Sequence, residues 1–411
     1  MISRRTTFKA VAGVAAAATL GVQGAHAESV IRVGIDLSFT GADAESAARI
    51  ANGAVLAFEE ANAAGAVKGY TFEVVKFDDA TATAGQYDPA QAATNARKMV
   101  SDKGFMAALG PQMSGAGKAM APILSQGNLA IITPASTNPD ITNPKFAAQY
   151  KPAGKAIYFR TVATDAYQGP NMANYMADTL KVKSIFVLDD SGAYGVGLAD
   201  AFQAQADKKG IKILGRDRLD PKATDYAAIL TKIKALAPDA LYYGGVGQAG
   251  VKLVKQAYDI VPGIIKAGGD GIYGADVLKG AGFPAVEGWY ATNASPHVTE
   301  DPKAAKFSAT FFKRFNQYPE DYSATCYVGA QVIIAAAKKV AATGKPVTRD
   351  ALRDAIGATK LADSLIGPAA FDENGDIQNK IISVFQVKQN KDKPLDDPDS
   401  QFKYIGVAPM S

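Results

Sequence analysis

The chain has 411 residues, 48% of them apolar and 20% charged, with a formal charge of +4. That is enough for two ordinary domains with filled cores, and the composition is not that of a disordered chain. One cysteine and two histidines exclude an internal disulfide and leave almost no room for metal sites or nucleophile–base pairs built on several Cys or His side chains.

The first residues carry Arg4, Arg5 and Lys9, then an Ala/Gly-rich run, then Ala25-His26-Ala27 before Glu28. That order predicts a removable signal peptide over residues 1–27. The SRRTTFK start is similar to a twin-arginine export signal, with the general secretory route as the alternative, and either route ends outside the cytoplasm. Removing the three bases lowers the formal charge from +4 to +1, which gives no reason to expect nucleic acid or an anionic membrane as partner. No segment reaches the roughly 18 uninterrupted apolar residues of a membrane-spanning helix.

From Ile31 onward, short β-branched apolar runs alternate with stretches of helical periodicity, the pattern of a parallel sheet with covering helices. Strands are predicted at 31–37, 72–77, 105–110 and 129–133, with helices near 46–64, 88–102 and 115–126. Residues 159–176 give a strand and then a loop at Gly169-Pro170 that opens the first helix of a second unit. There the series restarts, with strands at 184–190, 211–219, 239–245 and 264–269 and helices near 195–209, 223–236 and 248–259. Helices at 302–317, 323–342 and 348–356 follow without strands, and returning to cover the first unit is the simplest way to bury them. The end is expected to hold a hairpin over 369–389, turned at Asn374-Gly375, and an exposed polar tail at 391–400.

Ligands of open α/β sheets sit beyond the carboxyl ends of strands, so the loops there are the candidate site. Ser114, where a helix begins, is either that helix's N-cap or a hydroxyl that holds an anionic oxygen beside the free N–H groups of the first turn. Thr137 in TPAST has the same two readings. Asp270, between Gly269 and Gly271, either faces a ligand cation or is an ordinary turn aspartate, and Tyr194 either covers a ligand or packs at a helix start. Enzyme motifs are missing: GGVGQAG lacks the phosphate-binding lysine, and neither GxSxG nor HExxH occurs. Glu59-Glu60 and Asp78-Asp79 read as solvated acids, and His297 as a surface loop residue. No catalytic residue, cofactor or metal is expected.

The strand IRVGIDL with Thr40-Gly41, the run NGAVLAFEEANAAGAVKGYTFEVVKFDD, and the motifs GPQMSGAG, TPASTNPDIT, FRTVATDAYQG, DDSGAYGVGLA, LYYGG and IGPAAFDENGD occur in this order. By these the chain resembles the leucine/isoleucine/valine-binding proteins, type I periplasmic binding proteins of ABC importers, over nearly its whole mature length. The resemblance implies an α/β fold of two doubly wound lobes joined by three hinge crossings. The lobes would be residues 28–164 plus 294–375 and residues 165–293 plus 376–411. It also implies a monomer in the periplasm that encloses an amino acid and passes it to a membrane permease. In that role Ser114, Ala135, Ser136 and Thr137 would hold the ligand's α-carboxylate and α-amino group. Tyr194 and Asp270 would come from the second lobe, Asp270 pairing with the ammonium, and Tyr322 would add an aromatic wall. The family's first-loop aromatic and the one after YYGG are replaced by Ser46 and Val246, and a cysteine pair of some members by Thr81 and Met113, so the side-chain pocket is rebuilt. An aromatic carboxylate or short amide as ligand, or a sensing module for a signalling partner, are the alternatives.

Overall fold

The computed structural model describes residues 28–298 and 302–410; the segment read as a signal peptide lies outside the described residues. The first sheet starts with β1 (Ser29–Leu37), whose Ile31, Val33, Ile35 and Leu37 are fully buried because helices cover both faces. Then come α1 (Ala44–Ala63), β2 (Tyr70–Asp78), α2 (Pro89–Ser101), β3 (Phe105–Leu109), α3 (Ser114–Gln126), β4 (Ile131–Thr133), α4 (Ala147–Tyr150) and β5 (Tyr158–Arg160). The five strands are all parallel, in the order β2-β1-β3-β4-β5.

The second unit runs α5 (Asp165–Asp178), β6 (Ser184–Asp189), α6 (Ala193–Lys208), β7 (Lys212–Arg218), α7 (Ala227–Leu236), β8 (Ala240–Gly244), α8 (Gly247–Ile260), β9 (Ile265–Gly268), α9 (Ala275–Ala281) and β10 (Tyr290–Asn293). Its strands are parallel in the order β7-β6-β8-β9-β10. The chain then returns as α10 (Pro302–Phe315), α11 (Asp321–Ala341) and α12 (Arg349–Gly357). As the sequence predicts, α10 and α11 pack on α1, and Leu56, Phe311 and Val328 share one buried cluster. Gly53 sets the distance of that packing: a β-carbon there would stand 2.0 Å from the carbonyl oxygen of Ser323, so only glycine lets the start of α11 lie on α1.

After an antiparallel ribbon of β11 (Lys360–Ser364) and β12 (Gly367–Ala370), the chain crosses back as β13 (Ser383–Val387), α13 (Pro398–Gln401) and β14 (Phe402–Val407). These two strands extend the second sheet antiparallel beyond β10, to seven strands. The chain therefore passes between the sheets three times, from β5 to α5, from β10 to α10 and from β12 to β13. The first two crossings are tied by the Ala163 N–H donating to the Ala294 carbonyl at 2.8 Å.

Five local expectations fail, each for a packing reason; first, Asp79, read as a solvated acid, is fully buried just past β2 and accepts the Ser38 hydroxyl at 2.7 Å. The 369–389 hairpin does not form: only Phe371 and Ile377 bridge around Asn374-Gly375, because Val384, Phe385 and Val387 are buried between β10 and β14 instead. Local turn preference yields to that burial. The polar tail is exposed only over 391–395; Asp397 and Pro398 are buried and lead into β14, which covers the edge of β13. Gly169-Pro170 lies inside α5, where Gly169 serves close contact, since a β-carbon would reach within 2.7 Å of the Phe202 backbone nitrogen on α6. His297 is not a surface residue. Its ring packs 5.0 Å from Phe385 and 4.8 Å from Tyr404, with Nδ1 3.3 Å from Asp321, because the added strands fold over it.

Candidate functional site

Strand order reverses at β1 and β3 in the first sheet and at β6 and β8 in the second, and the cleft opens beyond the carboxyl ends of these strands. From the first sheet, Asp43 and Ser46 follow β1, Gln112, Met113 and Ser114 follow β3, and Ala135 follows β4. Across from them stand Tyr194 after β6, Val246 and Gly247 after β8, and the segment from Asp270 to Val277 after β9. Tyr322, at the head of α11, closes the wall. The empty volume, including its open mouth, is about 560 Å³.

Asp270 is the best-held charge of the cleft. Its Oδ1 accepts from the Tyr194 hydroxyl and its Oδ2 from the Tyr322 hydroxyl, both at 2.5 Å. Its backbone N–H donates to Gln168 Oε1 at 2.9 Å, and the Gly271 N–H donates to the Tyr194 oxygen at 3.1 Å. Glycine is needed next to it, since a β-carbon on residue 271 would lie 2.1 Å from the Gly245 carbonyl. Burial raises the Asp270 carboxyl above its ordinary range, opposed by the phenol hydrogen bonds. Behind it, Asp165 is pushed up to about 8 by burial and then by the charge of Asp270.

On the facing side, Ser114 opens α3 but does not cap it; Met113 holds the N-cap position. The Ser114 hydroxyl is buried and accepts the Asn138 N–H at 3.1 Å, with the Ser136 hydroxyl 3.4 Å away. The first-turn N–H groups of α3 therefore keep their capacity for an anion. Ala135 lines the cleft, whereas Ser136 and Thr137 are fully buried behind it and contribute no lining surface. The reason is local. Thr133 Oγ1 accepts the N–H groups of Ala135 and Ser136, and Arg160 donates to the Ser136 carbonyl at 2.7 Å, which folds the TPAST loop back onto the sheet.

Ser46, Val246 and Met113 line the cleft at the rebuilt positions, while Thr81 does not and bonds Asp88 instead. Sequence reasoning missed Gln168, which links the Asp270 loop to Thr292 and Asp165; its signal was its place in the DAYQG motif. It also missed Asp43 and Asp276. Asp43 is pushed up to about 7 by burial and by the charges of Asp79 and Asp190. Asp276 is pushed up to about 8 by burial and by Glu320. Both read in sequence as ordinary acids at a helix start.

Two parallel-stranded lobes crossed three times by the chain, with strand-end loops of both lining one cleft, define the two-lobed architecture of type I solute-binding proteins. The chain belongs to the periplasmic binding protein family, whose model matches residues 30–393. A Leu/Ile/Val-binding protein homolog of Brucella melitensis is 31% identical, with 93% of this chain and 98% of that protein covered. An amino acid binding protein of Pseudomonas aeruginosa is 28% identical, covering 94% and 97%. Among solved structures, a leucine-binding protein of Thermotoga maritima matches with a TM-score of 0.77 at 24% identity, covering 92% of this chain and 98% of that one. A solute-binding protein of an R. palustris ABC transporter, solved with benzoate, reaches 0.76 at 19% identity, covering 93% and 97%. These likenesses establish the fold.

Proposed function

We propose that this protein is the exported, periplasmic solute-binding component of an ABC importer, capturing an amino acid between its lobes and presenting the closed form to the membrane permease. The lobes are residues 28–164 plus 294–375 and residues 165–293 plus 376–411, each boundary falling at one of the three crossings. The single observation that carries the reading is the polarity of the cleft. Asp270, gripped by two phenols, faces inward on one side, and Ser114 with the N-terminus of α3 stands on the other. A zwitterion places its ammonium at the first and its carboxylate at the second. Relatives named for amino acid binding support the same assignment.

Contacts made only when both lobes meet the ligand draw the population toward closure. Charge-assisted hydrogen bonds of about 1.5–3 kcal/mol each reach a micromolar affinity, about −8 kcal/mol, after ordering costs. A ligand with a carboxylate and no ammonium leaves Asp270 buried without a cation, which argues against the benzoate-type alternative. A thermal-shift screen of the amino acids, benzoates and short amides tests the reading. A stabilising amino acid is expected, and stabilisation by benzoates or amides alone overturns it.

A further inference from the structure

Beside Asp270, the cleft lining holds a second group of acceptors. Asp43 occupies the N-cap position of α1 yet makes no capping hydrogen bond; its carboxylate turns toward Gly247 across the cleft instead. Asp43 is 5% exposed, lines the cleft, and its Oδ2 has no hydrogen-bond partner. The Oε1 of Gln112, which lines the same cleft, is also buried and unpartnered. Asp276, in the first turn of α9, lines the cleft too and accepts the Ser46 N–H at 3.0 Å. Glu320 lies just behind, taking the Ser46 hydroxyl and the Ala275 N–H. Among the described lining residues there is no lysine, arginine or histidine. Of the nearby cations, Arg49 and Lys279 both bind Glu45 and Asp396, and Arg49 also acts on Glu320.

The Asp43 Oδ2 is already shut off from water and has no donor, a cost that a hydrogen-bonding cation reaching it from the cleft removes. Resting on the amino-acid reading above, we infer that the solute carries a second positive group: the Asp43–Gln112–Asp276 group of the cleft is a subsite for a side-chain ammonium or guanidinium, and the ligand is a basic amino acid. Such a ligand presents a carboxylate to α3, an α-ammonium to Asp270 and a side-chain cation to Asp43 and Asp276. Burial first, and then the charges of Asp79 and Asp190 on Asp43 and of Glu320 on Asp276, raise these two carboxyls.

The test is calorimetric titration of the purified protein with matched pairs: L-ornithine against L-norleucine, and L-arginine against L-citrulline, with L-leucine alongside. The cationic member of at least one pair is expected to bind about 10- to 100-fold tighter than its neutral partner, the effect of one charge-assisted contact. Asp43→Asn and Asp276→Asn, each checked for cooperative melting, are expected to bring that ratio toward one. Leucine or the neutral partners binding as well as or better than the cations overturns this inference and leaves the amino-acid reading standing. Binding of no amino acid at all overturns the amino-acid reading, and this inference with it.

Discussion

The hydroxyl of Tyr322, on a helix packed against the first lobe, donates at 2.5 Å to Asp270, on a loop of the second. This bond crosses the cleft and is present only when the lobes are together, so it links closure to the residue proposed to take the ligand's ammonium. Tyr322→Phe removes the crossing bond and leaves the ring. It is expected to weaken ligand binding about 10-fold, a loss near 1.4 kcal/mol, and to enlarge the ligand-free particle in small-angle scattering. A variant with unchanged affinity and dimensions removes the bond from the mechanism.

Asp270→Asn keeps the shape and one of the two acceptors for the phenols, and withdraws the charge. Amino-acid affinity is expected to fall at least about 100-fold, since the ligand ammonium is then buried with a neutral partner. Calorimetry gives the answer directly, and an affinity within about 3-fold of the original, under 1 kcal/mol, refutes the assignment.

Gly53→Ala is expected to be strongly destabilising although it adds one methyl to a helix, where alanine is ordinarily favoured by about 1 kcal/mol. The new β-carbon would stand 2.0 Å from a backbone oxygen at the head of α11, so the helix must shift and carry Tyr322 with it. A loss of about 2–4 kcal/mol in urea unfolding, together with weaker binding, is expected. A gain in stability shows that α11 is not held at that distance.

The ligand-free protein should lose stability as the pH rises through neutrality. Asp43 and Asp276 sit near 7 and 8 in the fold against about 3.9 in an unfolded chain. Groups raised on folding give a contribution fully present below about pH 4 and lost as the pH climbs through their folded values. Asp276 faces Glu320, Asp43 and Glu45, and Asp43 faces Asp79 and Asp190; Lys279 and Arg49 pair with Glu45 and Asp396, and Arg49 also acts on Glu320. A melting temperature that falls between pH 5.5 and 8.5, with a shallower fall in Asp276→Asn, is expected from calorimetric scans. An identical slope in the variant removes Asp276 from the account.

Much of the architecture is legible in the sequence because it depends on period. Apolar runs such as IRVGIDL and helices such as 44–63 carry their burial pattern in their spacing, and the strand-end loops locate the cleft by rule. What was not legible depends on partners distant in the chain. Nothing in NGDIQNKIISV says that Val384 pairs with β10 rather than folding back on residue 370. Asp43 and Asp276 look like first-turn helix acids, and only the meeting of two lobes turns them toward one cavity. Ser114 is a helix start in both sequence and structure, but its neighbour Met113 takes the cap position, which leaves the hydroxyl to face the TPAST loop.

That loop rests on Arg160, fully buried, whose Nε bonds Asp376 at 2.7 Å while its other nitrogens reach the Ser136 carbonyl and the Thr142 hydroxyl. Asp376 lies at the start of the third crossing, so one ion pair joins the binding loop to the hinge. Breaking a buried pair from one side strands the other charge, and Arg160→Met is expected to cost about 3–5 kcal/mol in urea unfolding. Replacing both partners by apolar residues removes that stranded charge, so Arg160→Met with Asp376→Leu is expected to be more stable than Arg160→Met alone, while ligand affinity stays depressed because Ser136 has lost its anchor. If the double variant binds as tightly as the original protein, the ion pair supports the hinge and plays no part in shaping the binding loop.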